Sequence, residues 1–172
     1  MLSEKNTPSG KTKRIMIVAG EASGDLHGGN LVQAMLRLDP DLRFYGVGGR
    51  NLKNAGVELV ADTADMASVG LTEQISKLGM IWKVMVTLKK SLKKDRPDLL
   101  ILIDYPDFNL PMAKAAKKNG VRVFYYISPQ VWAWRSGRIE KIKKIIDKMA
   151  VILPFEAGLY KKAGVDVTFV GH

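Results

Sequence analysis

The sequence has no cysteine, no long apolar run and only two histidines. Without cysteine the chain can form no disulfide, no thiolate metal site and no thiol nucleophile, which fits a reducing compartment. No apolar run approaches the roughly 20 residues that a membrane-spanning helix needs. His27 and His172 are distant in sequence and have no carboxylate cluster beside them, so the sequence contains no metal-site pattern.

We also expect no targeting signal. Residues 1–13 are polar and lack an apolar h-region, so we predict a disordered tail rather than a signal peptide. With no membrane span either, the sequence predicts a cytoplasmic protein.

The chain does have enough length for one domain, an ordinary globular composition and a strong positive charge. Its 172 residues are 47% hydrophobic and 26% charged. Lysine and arginine exceed aspartate and glutamate by 27 to 17, a net charge of +10. This excess favours an anionic partner, which is nucleic acid, anionic lipid or a phosphorylated substrate. Charge alone does not choose among them.

Short apolar runs alternate with segments of helical periodicity along the chain. The runs predict strands at 14–19, 42–47, 57–60, 98–103, 121–127, 149–153 and 166–170. The periodic segments predict helices over 26–38, 50–55, 73–95, 109–118, 137–147 and 155–163. Because the strands are apolar throughout, we predict an α/β fold with a Rossmann-like parallel sheet and helices on both of its faces.

The longest predicted helix, 73–95, has two interpretations. A stripe at steps of three and four is predicted to face the core: Leu78, Ile81, Met85, Leu88 and Leu92. Further apolar side chains lie off this stripe among several lysines: Met80, Trp82, Val84 and Val86. The helix is therefore either a broad core-facing helix with snorkelling lysines or a surface helix that contacts a membrane.

The loop GEASGD, residues 20–25, follows the first strand and leads into a helix. In such folds, glycines and the N–H groups of a helix N-terminus bind phosphates at this point. The spacing fits neither the dinucleotide fingerprint nor the Walker A loop. The alternative is a tight turn with Ser23 or Asp25 as N-cap, which leaves Glu21 without a structural role.

The loop IDYPDFN, residues 103–109, has two acids after a buried strand. Ligands of open α/β sheets bind outside the carboxyl ends of the strands, where Asp104 is expected. Asp107 or Asn109 is suited to cap the next helix. Asp104 falls too early to cap a helix that begins near 109, so we interpret it as functional.

The segment YYISPQVWAWR combines two tryptophans, Trp132 and Trp134, with polar and basic residues. Ser128, Gln130 and Arg135 are suited to hold a sugar or a phosphate. The alternative is that both tryptophans fill the core.

Seven short segments of the chain match one family in both sequence and order. They are VAGEASGDLHG (18–28), GVGG (46–49), SVGLTE (68–73), IDYPDFNL (103–110), YYISPQVWAWR (125–135), LPFE (153–156) and FVGH (169–172). They span nearly the whole chain after residue 13, and the pair IDYPDFNL and SPQVWAW is specific. On these segments the chain resembles the lipid-A-disaccharide synthases, bacterial glycosyltransferases of lipid A assembly.

The resemblance implies one half of a GT-B fold, in which two Rossmann-like halves enclose the active site. Only the first half is matched, so we expect an acceptor-side domain over 14–172 and no C-terminal nucleotide-sugar domain in this chain. The implied reaction is an inverting transfer of diacylglucosamine from UDP-2,3-diacylglucosamine to the 6-hydroxyl of 2,3-diacylglucosamine 1-phosphate, lipid X. The products are lipid A disaccharide 1-phosphate and UDP. No metal or cofactor is implied, and we expect the chain alone to be inactive.

The resemblance also implies roles for individual residues. Asp104 is the expected general base. Glu21 is the second expected catalytic residue, which binds the acceptor or supports Asp104. The expected substrate-binding residues are Ser23, Gly24, Asp25, Asn109, Ser128, Gln130, Trp132 and Arg135.

Acylated substrates imply that the enzyme works at a membrane surface, here the inner face of the inner membrane. The family's apolar patch follows the SVG motif, and this sequence departs from that pattern at Thr72 and Gln74. The expected membrane contacts are instead Met80, Ile81, Trp82 and Val84. The expected partners are the UDP-sugar donor, the lipid X acceptor and the membrane, and a homodimer is compatible with the resemblance.

The residues alone leave two other functions open. One is a non-catalytic Rossmann-like module that binds anionic lipid or nucleotide. The other is a basic nucleic-acid binder, which the sequence disfavours because it has no recognised motif and its aromatics lie in apolar strands. We therefore expect no nucleic-acid partner.

Overall fold

The computed structural model of the chain describes residues 12–63, 74–129 and 137–171. Most of the predicted tail, up to residue 11, lies outside the described residues. The predicted site residues Gln130, Trp132 and Arg135 lie outside them as well.

Every predicted strand and helix is present among the described residues, with small shifts at the ends. The strands are β1 (Arg14–Ala19), β2 (Arg43–Gly48), β3 (Glu58–Asp62), β4 (Leu99–Ile103), β5 (Arg122–Tyr126), β6 (Lys148–Val151) and β7 (Val167–Phe169). The helices are α1 (Ala22–Leu38), α2 (Arg50–Asn54), α3 (Gln74–Lys94), α4 (Pro106–Lys118), α5 (Gly137–Ile145) and α6 (Pro154–Lys162).

Two helices begin several residues earlier than predicted. Helix α1 begins at Ala22 rather than near 26, and α4 begins at Pro106 rather than near 109. The first turn of a helix needs no intrahelical acceptors for its N–H groups, so proline and polar residues fit there. The segments interpreted as loops are therefore mostly first helical turns.

The seven strands form one sheet in the order β3-β2-β1-β4-β5-β6-β7, and all neighbouring pairs are parallel. Strand β1 is third in this order and lies between β2 and β4, with Ile17 opposite Gly46 of β2 and Ile101 of β4. The chain moves outward from β1 through β2 and β3, and then returns to the other side of β1 to begin β4. This arrangement confirms the predicted Rossmann-like parallel fold.

Two apolar clusters cover the two faces of the sheet. The first packs β1, β2, β4, β5 and β6 against helices α3 to α6, through residues such as Met16, Leu102 and Tyr125. The second packs the alternate residues of β1, β2 and β4, such as Ile17 and Ile103, against α1 and α2. Because successive side chains of a strand point to opposite faces, the sheet is buried on both sides as predicted.

Helix α3 faces the core along a shorter stripe than its periodicity predicts. Leu88 and Leu92 are fully buried and Val84 is 9% exposed, whereas Leu78 is 69% exposed. The prediction that Leu78 faces the core is therefore wrong: among the side chains of α3 that the structure describes, Ile81 is the first that contacts the apolar cluster. The prediction that Val84 contacts a membrane is also wrong, because its side chain is packed in the core.

None of the described helices combines the length and apolarity that a membrane crossing requires. Met80 and Trp82 are exposed, at 36% and 69%. Ile81, another of the four expected membrane contacts, is partly buried against the core. Its side chain is therefore only partly accessible.

Candidate active site at the carboxyl ends of β1 and β4

The candidate site lies where the strand order reverses, between β1 and β4. Open α/β sheets form a crevice at this point, because the connections after the two strands leave on opposite sides. The loops after these strands touch, since a Cβ added to Gly20 would overlap the ring of Tyr105. The contact brings the two predicted motif loops, 20–25 and 103–109, together at one edge of the sheet.

The backbone after β4 is held in an uncommon conformation. Asp104 and Tyr105 have φ values of 46° and 44°, so two consecutive non-glycine residues are left-handed. Such residues cost on the order of 1–3 kcal/mol each and persist only where the surroundings hold them. Tyr105 is the N-cap of α4 and makes no capping bond with its side chain.

Hydrogen bonds on both sides of Asp104 hold this turn. Its carbonyl oxygen accepts hydrogen bonds from the Tyr125 hydroxyl at 2.5 Å and from Nδ2 of Asn109 at 2.7 Å. Its N–H donates to the carbonyl of Tyr126 at 3.1 Å. Nδ2 of Asn109 also donates to the carbonyl of Ile103 at 3.0 Å. The turn is thus tied to the neighbouring strand β5 as well as to α4.

Asn109 therefore ties the turn rather than capping α4. The side chain is fully buried, and its Oδ1 has no hydrogen-bond partner among the described residues. Asp107, the other predicted cap, lies exposed in the first helical turn, where the N-cap is Tyr105. The capping prediction is wrong for both residues, because the helix begins before them.

The carboxyl of Asp104 is half-buried and poorly supplied with donors. Burial raises its pKa, and a hydrogen bond from the Tyr105 N–H offsets this only in part. A carboxylate whose pKa is raised toward neutrality is a stronger base than a solvated one. The electrostatics of Asp104 therefore suit the removal of a proton.

The charges of Glu21 and Asp107 act on the side chain of Tyr105, which belongs to the same turn. Burial raises the pKa of the Tyr105 phenol, and the charges of Glu21 and Asp107 raise it further. Glu21 is exposed, and although it is the N-cap of α1 it makes no capping hydrogen bond. Its carboxylate thus lies near the Tyr105 side chain rather than bound into the helix end.

Asp25 does not cap α1, which was one of the two interpretations of its loop. It is 4% exposed and lies in the first turns of α1, so it is not the N-cap of that helix. Its carboxylate accepts hydrogen bonds from the N–H groups of Gly49, Asn51 and Leu52 and from Nδ2 of Asn51, at 2.7 to 3.1 Å. Asp25 therefore caps the N-terminus of α2.

These hydrogen bonds set the direction in which the pKa of Asp25 is shifted. Burial raises its pKa, but the N–H donors of Asn51, Leu52 and Gly49 outweigh burial and lower the pKa overall. The oxygens of Asp25 already hold four donors, so the side chain is committed to the fold. A contact between Asp25 and substrate is untested and stays a prediction.

The remaining residues of the first motif differ in accessibility. Ser23 is exposed in the first turn of α1. Gly24 is buried, and a Cβ there would lie 3.5 Å from Ile103, an ordinary contact distance. Neither Ser23 nor Asp25 serves as the N-cap of α1, so that alternative is wrong.

Ser128, after β5, is bound to residues that the sequence did not single out. Its hydroxyl donates to Oε1 of Glu156 at 2.7 Å, and both residues are almost fully buried. Tyr160 donates from its hydroxyl to the carbonyl of Pro129 at 3.1 Å. Glu156 is the last residue of the LPFE segment, 153–156. The match of that segment to the family was the only feature of the sequence that pointed to Glu156.

Among the described residues, no group of three or more histidine, aspartate or glutamate side chains is arranged to hold a metal ion.

Solved structures share the fold at low sequence identity. A UDP-N-acetylglucosamine 2-epimerase superimposes with a TM-score of 0.64 and 15% identity, over 94% of this chain and 49% of that one. MurG of Acinetobacter baumannii gives a TM-score of 0.56 and 12% identity, over 92% and 45%. These similarities support the fold alone, since the identities are low.

Curated relatives are much more similar in sequence. A lipid-A-disaccharide synthase of Syntrophus aciditrophicus is 67% identical over 161 residues, and one of Geobacter metallireducens is 61% identical over 160. The match takes in 94% and 93% of this chain, respectively. This chain spans 42% of the length of either relative. A family model described as lipid-A-disaccharide synthetase matches residues 15–172. The chain therefore belongs to the lipid-A-disaccharide synthetase family.

Proposed function

We propose that this chain is the acceptor-side part of a lipid-A-disaccharide synthase. The reaction transfers diacylglucosamine from UDP-2,3-diacylglucosamine to the 6-hydroxyl of lipid X. The observation that carries the proposal is the half-buried Asp104 carboxyl, on a strained turn at the reversal of strand order. The rest of the active site is expected in a second half, which the relatives' greater length accommodates.

In this proposal Asp104 acts as the general base. Its carboxylate takes the proton of the acceptor 6-hydroxyl while that oxygen attacks C1 of the donor sugar. The bond from C1 to the UDP oxygen breaks, its electron pair leaves with UDP, and the configuration at C1 inverts. Glu21, exposed beside the same turn, orients the acceptor or supports Asp104. Ser23 and Asn109 belong to the same two loops.

Asp104 is tested by Asp104→Asn in a chimera of this chain with the C-terminal remainder of the Syntrophus aciditrophicus relative. The amide keeps the size of the side chain but cannot take a proton. We expect kcat for disaccharide formation to fall about 10²- to 10⁴-fold. The measurement is product formation from both lipid substrates, followed by mass spectrometry.

The matched control is Asp107→Asn, which neutralises the exposed acid three residues away. We expect this variant to retain most of the activity, because Asp107 makes no capping hydrogen bond and is solvated. Full activity of a folded Asp104→Asn variant would remove Asp104 from the reaction.

We also propose that the N-terminal part of α3 contacts the cytoplasmic face of the inner membrane. Leu78 and Trp82 are each 69% exposed, and their spacing of four residues puts them on one side of the helix. Lysines follow along the same helix, and these attract anionic lipid headgroups. Val84 takes no part in this contact because it is buried.

The membrane contact is tested by flotation of the chain with vesicles that contain anionic phospholipid. We expect the double variant Leu78→Ser, Trp82→Ser to bind less than the parent chain. Leu38→Ser is the matched control, since Leu38 is 88% exposed at the end of α1. Equal loss of binding in both variants would contradict a specific contact through α3.

A further inference from the structure

The Tyr125 hydroxyl is a polar group in the middle of an apolar cluster, and the proposed reaction does not use it. Tyr125 lies in β5 with no exposed surface, packed on the face that α3 to α6 cover. Phenylalanine would fill the same apolar site, so the hydroxyl needs a separate explanation. A buried tyrosine hydroxyl is normally satisfied by a specific partner.

That partner is the strained turn at the candidate site. The hydroxyl donates to the carbonyl oxygen of Asp104 at 2.5 Å, a short hydrogen bond across 21 positions of sequence. Asp104 and Tyr105 are the left-handed residues of this turn. The contact therefore falls on the Asp104–Tyr105 peptide unit, one of the two units that flank the Cα of Asp104 and set the direction of its side chain.

The other hydrogen bonds hold the turn less completely if this one is lost. The Asp104 carbonyl would keep only the hydrogen bond from Asn109, on the following helix. The Asp104 N–H would stay bound to Tyr126. Since left-handed conformations are unfavourable for non-glycine residues, removal of one tie lets the backbone move toward an unstrained conformation. The carboxyl group would move with it, toward solvent.

We propose that Tyr125 is a positioning residue, whose hydroxyl holds the Asp104–Tyr105 turn so that the Asp104 carboxyl stays half-buried at the mouth of the site. It acts through the backbone of Asp104 and touches no substrate. The catalytic part of this proposal rests on the proposed function, whereas the structural part does not.

The test compares Tyr125→Phe with the matched control Tyr45→Phe. Tyr45 lies in β2, is 6% exposed and belongs to the same apolar cluster. Its hydroxyl accepts a hydrogen bond from Ser91 at 3.3 Å, away from the Asp104 turn. Both variants remove one buried hydroxyl from a strand tyrosine, so a general loss of packing or stability affects both.

The first readout is the titration of the Asp104 carboxyl in this chain by carbon-detected NMR. In Tyr125→Phe we expect the pKa of Asp104 to fall toward its ordinary value, because the carboxyl gains solvent. In Tyr45→Phe we expect the parent titration. An unchanged Asp104 titration in Tyr125→Phe, or the same shift in both variants, would overturn the proposal.

The second readout is kinetic, in the chimera with the Syntrophus aciditrophicus remainder. A displaced base is expected to lower kcat about tenfold or more at nearly unchanged KM, since small displacements of catalytic groups are costly. Tyr45→Phe is expected to keep the parental kcat. Where Asp104→Asn is inactive, a parental kcat in Tyr125→Phe contradicts the positioning role.

The two readouts separate the positioning role from the proposed reaction. If the Asp104 titration moves in Tyr125→Phe but Asp104→Asn keeps full activity, Tyr125 still holds the turn and the proposed base is wrong. If Asp104→Asn is inactive and Tyr125→Phe changes neither titration nor kcat, the base stands and the role of Tyr125 is wrong.

Discussion

Asp25 and Asp104 are two shielded aspartates near the same edge of the sheet, and their surroundings shift their pKa values in opposite directions. Burial disfavours the charged form of both. Asp25 accepts four hydrogen bonds at the N-terminus of α2, and these lower its pKa overall. Asp104 has one backbone donor for its carboxylate, so burial prevails and its pKa is raised.

The difference shows that the number of hydrogen-bond donors, rather than burial, separates the carboxylate whose pKa is lowered from the one whose pKa is raised. Asp25 is the more buried of the two and the less suited to take a proton. Ser128 is likewise bound into the fold, because its hydroxyl donates a hydrogen bond to Glu156. A side chain in a family motif can therefore be bound into the fold through its polar atoms.

The largest difference in stability is expected when the charge of Asp25 is removed. We expect Asp25→Asn to lower the free energy of unfolding by about 2 to 3 kcal/mol, because an amide cannot accept from all of the N–H groups around it. Urea denaturation of this chain gives the value. Asp104→Asn, the matched substitution, is expected to change it by less than about 1 kcal/mol. Equal losses of unfolding free energy in the two variants would contradict the distinction between the two aspartates.

A smaller effect is expected where the two loops touch. A Cβ on Gly20 would overlap the Tyr105 ring, so Gly20→Ala must displace that ring, which belongs to the turn that carries Asp104. We expect a loss of about 1 to 3 kcal/mol, typical of overpacking, and lower activity in the chimera.

Gly24→Ala is the control for that substitution. Its Cβ would meet Ile103 at an ordinary 3.5 Å, so we expect a change of less than about 1 kcal/mol. A Gly20→Ala variant as stable and active as Gly24→Ala would show that the loop contact does not constrain the turn.

The smallest effect is a pH dependence of stability with opposite signs at the two aspartates. The folded pKa of Asp25 is lowered, so its stabilisation is present above the ordinary value of 3.8 and is lost as the pH falls through the folded pKa. The destabilisation by Asp25→Asn should therefore shrink in acid.

Asp104 has the reverse sign. Its folded pKa is raised, so its charge destabilises the fold above that pKa, and the effect disappears as the pH falls below 3.8. Asp104→Asn should thus be slightly stabilising near neutrality and neutral in acid. Urea denaturation from pH 3 to about 7 measures both differences, and the same sign for both variants would contradict the account.

Much of the fold was predictable because the apolar strand runs are short and clearly bounded. The same pattern identified Asp104 and Glu21 as residues that follow β4 and β1, and the sheet order brings those strands together. The exposure of Leu78 was not predictable, since periodicity gives the face of a helix but not where the core ends.

The contacts that assign roles are long-range and therefore escaped the sequence. Asp25 binds residues 24 to 27 positions away, and Tyr125 binds Asp104 across 21 positions. The left-handed turn at Asp104 depends on those contacts rather than on local propensity. Residues such as Tyr125 and Glu156 are recognised only when their partners are known.

The most direct measurement is the carboxyl titration of Asp25 and Asp104 in this chain by carbon-detected NMR, with the two asparagine variants used for assignment. The account predicts that Asp104 titrates above the ordinary value of 3.8 and Asp25 below it. An Asp104 pKa equal to or lower than that of Asp25 would contradict it.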